Sequence, residues 1–377
     1  MDKVRQLYVF YKNRKVGTLA LHKKYFAAFE YDKEWLIDGF SISPFSLPLE
    51  DKVFVPKIDP FEGLHGVFSD SLPDGWGRLL VDRLMLNNHI SPREVGNLER
   101  LAIVGLSGMG ALSYQPEKKL LVYNHNEIDL DVLAAECNNV LKTEFSKKLD
   151  DLFVLGGTSG GARPKILTEI DNEEWIIKFP SQQDDKNIGQ QEYEYSLCAK
   201  ECGIIMAETK LFSSRKCDGY FGTKRFDRPI FADGTSDKVH MVSVSGLLET
   251  THRLPNLDYN ILMKLTLQLT KSFDEVEKLY RLMCFNVFAH NRDDHSKNFT
   301  FIYDEDAGIW KLSPAYDLTY SYSIGGEHAT TVNGNGRNPG EKEVLEVAKN
   351  IGFNMKKARI ISNEVQECAK SRLSEYI

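Results

Sequence analysis

The sequence predicts an α+β protein: a small β-rich segment, then a mixed α/β lobe, then a mostly helical lobe. Three observations carry this. The first 31 residues are rich in β-branched and aromatic residues broken by one polar turn. The middle third alternates strand-like runs with a Gly-rich turn and one long amphipathic stretch. From about Asp258 onward, apolar residues recur at helical spacing.

In chain order, Leu7–Tyr11 and Phe26–Tyr31 read as strands, with Lys12-Asn13-Arg14-Lys15 as a hairpin turn leading into Val16–Leu21. Pro44, Pro48, Pro56 and Pro60 punctuate a loop-like segment, because proline cannot donate to a helix or a sheet ladder. Asp74 is placed to cap a helix through Trp76, Leu79, Leu80, Arg83 and Leu84, whose apolar members lie three and four residues apart. Ile128–Leu149 reads as a further amphipathic helix, and Leu152–Leu155 as a strand. Beyond a Gly-rich turn, Lys165–Ile170 and Trp175–Phe179 read as strands joined by the acidic turn Asp171-Asn172-Glu173-Glu174. Ile188–Cys202 reads as a helix that Gly203 stops. Strands are expected around Met206–Phe212 and Tyr220–Phe226. Tyr259–Thr270 and Glu275–Ala289 have wide apolar faces that predict buried helices, and Glu341 to the C-terminus is again helical.

At roughly 150 residues per domain, 377 residues make two to three domains. A composition of 42% hydrophobic and 27% charged residues argues against a disordered, collagenous or rod-like chain. No apolar run approaches the roughly 18 residues of a membrane helix. Met1-Asp2-Lys3-Val4-Arg5 has no apolar core behind it, so no secretory signal is expected. Lys and Arg total 47 against 54 Asp and Glu, a net charge of −7, which disfavours direct coating of DNA as the main activity. The six cysteines (Cys137, Cys198, Cys202, Cys217, Cys284 and Cys368) form no C-x-x-C pair, so a zinc ribbon is not expected. Cys198 and Cys202, four apart on an expected helix, read as small apolar residues. This usage fits a reducing cytoplasm.

The most informative stretch is His290-Asn291-Arg292-Asp293-Asp294-His295-Ser296-Lys297-Asn298, set between a buried helix and the strand Thr300-Phe301-Ile302. Such a polar run is unfavourable unless it is paired, metal-bound or solvated in a cleft. Asp293 precedes Asn298 by five residues. That is the spacing of the catalytic loop in kinase-like phosphotransferases, where Asp orients the acceptor hydroxyl and Asn holds magnesium. Asp317, nineteen residues beyond Asn298, is a second carboxylate just after a strand, suited to the same hard cation. The competing readings are an acidic surface loop and a two-metal site on His290, Asp293, Asp294 and His295.

Gly156-Gly157-Thr158-Ser159-Gly160-Gly161-Ala162 puts four glycines and two hydroxyls in one turn, where backbone N–H groups can approach phosphate oxygens. It is not a Walker A loop, because Ala162-Arg163 follows Gly161. Lys178 sits among bulky apolar residues on a strand, like a phosphate-binding lysine. Alone, the first is an ordinary turn and the second an ordinary strand lysine. Their order (Gly-rich loop, strand lysine, helix, Asp-x4-Asn, Asp) is that of the ATP-grasping elements of protein kinases. The fold class expected is therefore a protein-kinase-like two-lobe α+β fold, with a β-rich N-terminal subdomain and an all-helical C-terminal lobe.

With these residues in view, the chain resembles the HipA family, the serine/threonine kinase toxins of bacterial HipBA-type toxin–antitoxin modules. The resemblance spans nearly the whole chain. Val16-Gly17-Thr18-Leu19, Phe45-Ser46-Leu47-Pro48-Leu49 and, most specifically, Phe61 to Gly77 (FEGLHGVFSDSLPDGWG) carry it at the N-terminus. Val104-Gly105, Gly108-Met109-Gly110-Ala111-Leu112 and Arg225-Phe226-Asp227-Arg228 follow in the family's order, and then Asp293–Asn298 and Tyr316-Asp317. The resemblance implies an N-terminal, antitoxin-contacting subdomain over residues 1–110, a kinase-like N-lobe over 111–228 and a helical C-lobe over 229–377. It implies Asp293 as catalytic base and Asn298 and Asp317 as Mg2+ ligands. ATP would be bound by Lys178, by the backbone of Thr158, Ser159, Gly160, Gly161 and Ala162, and near His295 and Lys297. Glu192 stands where the family has a glutamate, a possible partner for Lys178. Autophosphorylation would fall on Thr158 or Ser159, although Arg163-Pro164 departs from the family's usual Gln-Glu before Lys165. The implied partners are a HipB-like helix-turn-helix antitoxin, operator DNA indirectly through it, and a protein substrate, an aminoacyl-tRNA synthetase. Two other functions fit the same residues: a kinase-fold phosphotransferase acting on a small molecule, and a catalytically silent corepressor.

Overall fold

The computed structural model describes residues 3–118, 129–144, 146–157, 159–230 and 235–377. The chain forms two compact units. One comprises Met1–Gly189, Lys210–Val242 and Gly246–Glu249; the other comprises Gln190–Thr209, Ser243–Ser245 and Thr250–Ile377.

The first unit opens with β1 (Gln6–Tyr11), β2 (Arg14–His22) and β3 (Phe26–Tyr31), paired antiparallel. Leu7, Val9 and Tyr11 are buried while their neighbours face outward or lie half-buried, as a strand with one packed face requires. The first turn contracts to Lys12-Asn13, with Lys12 at φ +52°. The sequence reading missed α1 (Lys33–Asp38). Asp32 caps it by accepting from the Glu34 N–H at 3.1 Å, and Trp35 buries it. The proline-rich stretch is irregular apart from β4 (Val53–Phe54). Tyr31 stabilises it, its hydroxyl donating to the Leu47 carbonyl at 2.7 Å and accepting from the Ile42 N–H at 3.2 Å. Then come α2 (Gly66–Ser69), α3 (Gly75–Asn87), α4 (Asn97–Val104) and β5 (Leu112–Gln115), which completes a five-stranded sheet in the order β4-β3-β2-β1-β5.

Two expectations fail next. The single helix over Ile128–Leu149 is instead α5 (Leu130–Leu141) and α6 (Leu149–Gly156), with Ile128 and Phe145 outside the described residues. Leu152–Leu155 is therefore helical, not a strand. Four apolar residues cannot declare a period. Here Asp150 and Asp151 in the first turn suit the positive end of a helix, and Leu149 and Leu152 reach the core. β6 (Lys165–Ile170), β7 (Glu173–Lys178), α7 (Ile188–Glu201), β8 (Thr209–Phe212) and β9 (Tyr220–Lys224) follow in the chain, the strands in the sheet order β6-β7-β9-β8, while α7 from Gln190 onward belongs to the second unit. The β6–β7 turn is only Asp171-Asn172, both at positive φ as a tight hairpin demands, so Glu173 and Glu174 join the strand. Trp76 and Leu80 of α3, Leu133 and Cys137 of α5 and Leu152 of α6 pack on Ile166, Ile177 and Tyr220 in one core.

After β10 (Met241–Ser243) and α8 (Val244–Leu248) the second unit holds β11 (Leu257–Asp258), α9 (Tyr259–Thr270), α10 (Phe273–Phe288), β12 (Thr300–Asp304), β13 (Ile309–Leu312), β14 (Thr330–Thr331), α11 (Glu341–Asn350) and α12 (Met355–Arg372). α10 packs against α9 and α12. This lobe is helical in bulk but not all-helical: β12 and β13 form an antiparallel hairpin, and β11 pairs parallel with β14. The polar segment thus runs from the end of α10 to the start of β12. Among the described residues, no helix is long and apolar enough to cross a membrane.

Candidate functional site

The polar segment begins where α10 ends. His290 takes a left-handed backbone, φ +52°, and turns the chain out of the helix. Asn291 is buried and donates to the Asn286 side chain at 2.9 Å; Asn286 in turn donates to the Tyr259 hydroxyl at 2.9 Å. Tyr259 donates to Asp294 Oδ2 at 2.8 Å, and His328 Nδ1 stands 3.0 Å from the same oxygen. The Thr330 N–H donates to Asp294 Oδ1 at 3.1 Å, and its hydroxyl to the Asp294 carbonyl at 2.5 Å. Burial, reinforced by the Asp294 charge, holds the Tyr259 hydroxyl far above its ordinary value. Asp294 is thus a buried, fully hydrogen-bonded post.

Its neighbour Asp293 is exposed, with His295 Nε2 3.9 Å from its carboxylate. The Asn298 side-chain amide donates to the Asp293 carbonyl at 2.6 Å, closing the loop and leaving Oδ1 as the atom able to ligate. The Ser245 N–H bonds the Ser296 carbonyl and the Val244 N–H bonds the Phe299 carbonyl, so the far side is also fixed. Tyr316 donates to the Lys297 carbonyl at 2.6 Å and accepts from Thr300 at 2.6 Å. Asp317 follows, half-buried, at φ +58°. Left-handed backbone at a non-glycine residue is strained, and such strain gathers at ligand sites. Asn298 and Asp317 offer amide and carboxylate oxygens, the hard donors that suit Mg2+. The two-metal reading is not supported. Asp294 is consumed by its hydrogen bonds, and among the described residues His290, Asp293, Asp294 and His295 do not bring their ligand atoms together.

In the first unit the Gly-rich turn lies on the start of α3. Asp74 occupies the cap position, but its carboxylate accepts from the Gly161 N–H rather than from its own helix. The Trp76 N–H donates to the Gly161 carbonyl at 2.8 Å, and the Trp76 indole donates to the Lys165 carbonyl at 2.9 Å. Ser159 is buried; its hydroxyl donates to the Gly156 carbonyl at 2.6 Å. Gly160, Gly161 and Ala162 are exposed, and Thr158 lies outside the described residues. Arg163 forms a two-pronged contact with Asp184.

Lys178 is buried at the end of β7, its ammonium 5.5 Å from the Phe221 ring centre. Directly across the ladder stands Lys165, also buried, whose ammonium donates to the Gly160 carbonyl at 2.6 Å. Two lysines side by side beneath a Gly-rich turn concentrate positive charge where an anion would be favoured. Sequence reasoning missed Lys165, although alternation from Lys178 through a two-residue hairpin places it opposite. Lys178 belongs to the first unit and the buried Glu192 to the second.

The longest sequence signatures turn out to be packing devices within the first unit. Asp227 accepts from Arg225, Arg228 and the Gly110 N–H, and Arg228 donates to the Gly108 carbonyl. His65 Nδ1 lies 2.9 Å from Glu249. A Cβ at Gly66 would overlap the Gly246 backbone.

Comparison with known proteins bears on both units. The HipA N-terminal domain family matches residues 7–115, and the HipA-like C-terminal domain family matches residues 157–373. The structure of HipA from Shewanella oneidensis MR-1, solved with HipB and its operator DNA, superposes with a TM-score of 0.73 over 98% of this chain and 90% of that one, at 17% identity. A Sinorhizobium fredii protein carrying a kinase name, Y4dM, is 28% identical over 172 residues. That match covers 42% of this chain and 40% of the relative's length.

Proposed function

Since this chain belongs to the HipA family, we propose that it is an ATP-dependent serine/threonine protein kinase and the toxin of a toxin–antitoxin pair. The observation that carries the reading is the opposite use of two adjacent carboxylates: Asp294 is buried as an anchor, and Asp293 is held out to solvent on the loop so fixed. A rigid loop with an exposed carboxylate suits accepting a proton from an acceptor hydroxyl. Asn298 and Asp317 would hold Mg2+, which when bound neutralises phosphate charge. Lys178, joined by Lys165, would draw the nucleotide phosphates to the first unit, where the backbone of Ser159–Ala162 would cover them; Thr158, assigned to the same turn, lies outside the described residues. We also read His295 and Lys297, two and four residues beyond Asp293, as ATP-binding residues of the second unit.

We assign autophosphorylation to Thr158 or Ser159. Phosphorylation of Ser159 would require its hydroxyl to leave the carbonyl of Gly156 at the end of α6. A phosphate there adds nearly two negative charges and would repel ATP. The external substrate is an aminoacyl-tRNA synthetase, whose loss of charging would arrest growth in the cytoplasm. A small helix-turn-helix antitoxin would hold the chain and supply the basic surface for operator DNA, consistent with this chain's net charge of −7.

The test is intact mass and peptide mapping after incubation with Mg-ATP, beside Asp293→Gln. One added phosphate on Thr158 or Ser159, with transfer lowered by about 10²–10⁴-fold in the variant, is expected. An equal rate in both would remove Asp293 from its role. Failure to bind Mg-ATP at all would favour the corepressor.

A further inference from the structure

Three of the six cysteines, separated by up to 170 residues of sequence, meet in the second unit. Cys198 and Cys202 are one helical turn apart at the end of α7, so both sulfurs point the same way. Cys368 comes from the last turns of α12. The Cys198 thiol is 4.0 Å from the Cys368 carbonyl, and the Cys368 thiol 4.0 Å from the Cys198 carbonyl. All three sulfurs lie within 4.8 Å of one another. We propose that Cys198, Cys202 and Cys368 bind one thiophilic metal ion, zinc in the first instance, which ties α7 to α12.

The geometry suits the ion. Three sulfurs each about 2.3 Å from a tetrahedral centre stand about 3.8 Å apart, so the triangle needs to contract by at most about 1 Å. Thiolate sulfur is a soft donor that selects zinc or cuprous copper over magnesium or calcium. Cys198 and Cys202 are buried and Cys368 is half-buried, which leaves a fourth position for solvent. Cys202 also lines an open cleft of about 630 Å³ beside Glu201, Arg281 and Glu364, a route for entry. Each of the three thiols releases a proton to solvent as its sulfur binds, so a divalent ion leaves the centre with one net negative charge. The alternative is three small apolar residues in a helix–helix contact. That alternative predicts no metal affinity and no release of protons.

The experiment is anaerobic titration of the reduced, metal-free full-length protein with Co2+, a spectroscopic stand-in for zinc. Expected are saturation at one ion per chain, near-ultraviolet sulfur-to-cobalt charge transfer, and visible bands of a four-coordinate ion that bleach on adding zinc. Zinc should also raise the melting temperature, because it binds only the folded chain tightly. Cys368→Ser should weaken binding by at least about tenfold, and Cys217→Ser, in the other unit, should leave it unchanged. Absence of thiolate–cobalt absorption in the unmodified protein would overturn the site, whatever the variants do. So would an undiminished band in a folded Cys368→Ser. No arm involves nucleotide, so this test and that of the kinase reading fail independently.

Discussion

Asp293 and Asp294 are adjacent in sequence and opposite in surroundings. Asp294 takes hydrogen bonds from Tyr259 and Thr330 in a site closed to water; Asp293 is exposed. A buried carboxylate that loses such partners leaves several polar groups unmatched, and bonds to a charged acceptor contribute about 1.5–3 kcal/mol each. Asp294→Ala should therefore lower stability by about 3 kcal/mol or more. Asp293→Ala should change it by no more than about 0.5 kcal/mol, as at an ordinary surface position. Urea unfolding of the two variants measures this; equal losses would contradict the division of labour. The spacing from Asp293 to Asn298 was visible in the sequence because it is local. Which of the two aspartates turns inward was not, since the groups that decide it, Tyr259, His328 and Thr330, lie 34 to 36 residues away.

Helix α3 shows how an element can be legible while its purpose is not. Its apolar spacing and the cap position of Asp74 can be read from the sequence, and the helix forms there. Its first turn nevertheless serves the Gly-rich turn: Asp74 accepts from Gly161, and Gly75 and Gly77 let the two backbones touch. A Cβ at Gly77 would overlap the Ser159 carbonyl oxygen. In an open helix, alanine is favoured over glycine by about 1 kcal/mol. Here Gly77→Ala should instead destabilise by about 1–3 kcal/mol, because overlap forces the turn away. It should also speed hydrogen exchange at Ser159–Ala162. A stabilised Gly77→Ala protein would mean that this close approach is not kept in solution. The error at Leu152–Leu155 has a related cause, since a four-residue apolar run fits a strand and a helix turn equally well.

For the whole molecule, acid sensitivity follows from one buried histidine in the first unit. His240 Nε2 donates to the Ile42 carbonyl at 2.8 Å, among the rings of Tyr11 and Phe40. Burial lowers its pKa from 6.5 to about 4. The unfolded chain therefore takes up this proton first. Stability from the neutral ring is complete above pH 6.5 and is lost as pH falls toward 4, by roughly 3 kcal/mol in all. His240→Gln should flatten that part of the stability–pH curve, and an unchanged slope would refute the assignment. At this scale, the strands of the first 31 residues, the helical character of the C-terminal lobe and the ordered polar motifs were all present in the sequence. They depend on periods and spacings within one element, which neighbouring residues settle among themselves. The hairpin inside the helical lobe, the break between α5 and α6, the cross-strand pair of Lys165 and Lys178, and the triangle of Cys198, Cys202 and Cys368 came only with the folded chain. Each depends on which distant surfaces are buried together, and no local pattern records that choice.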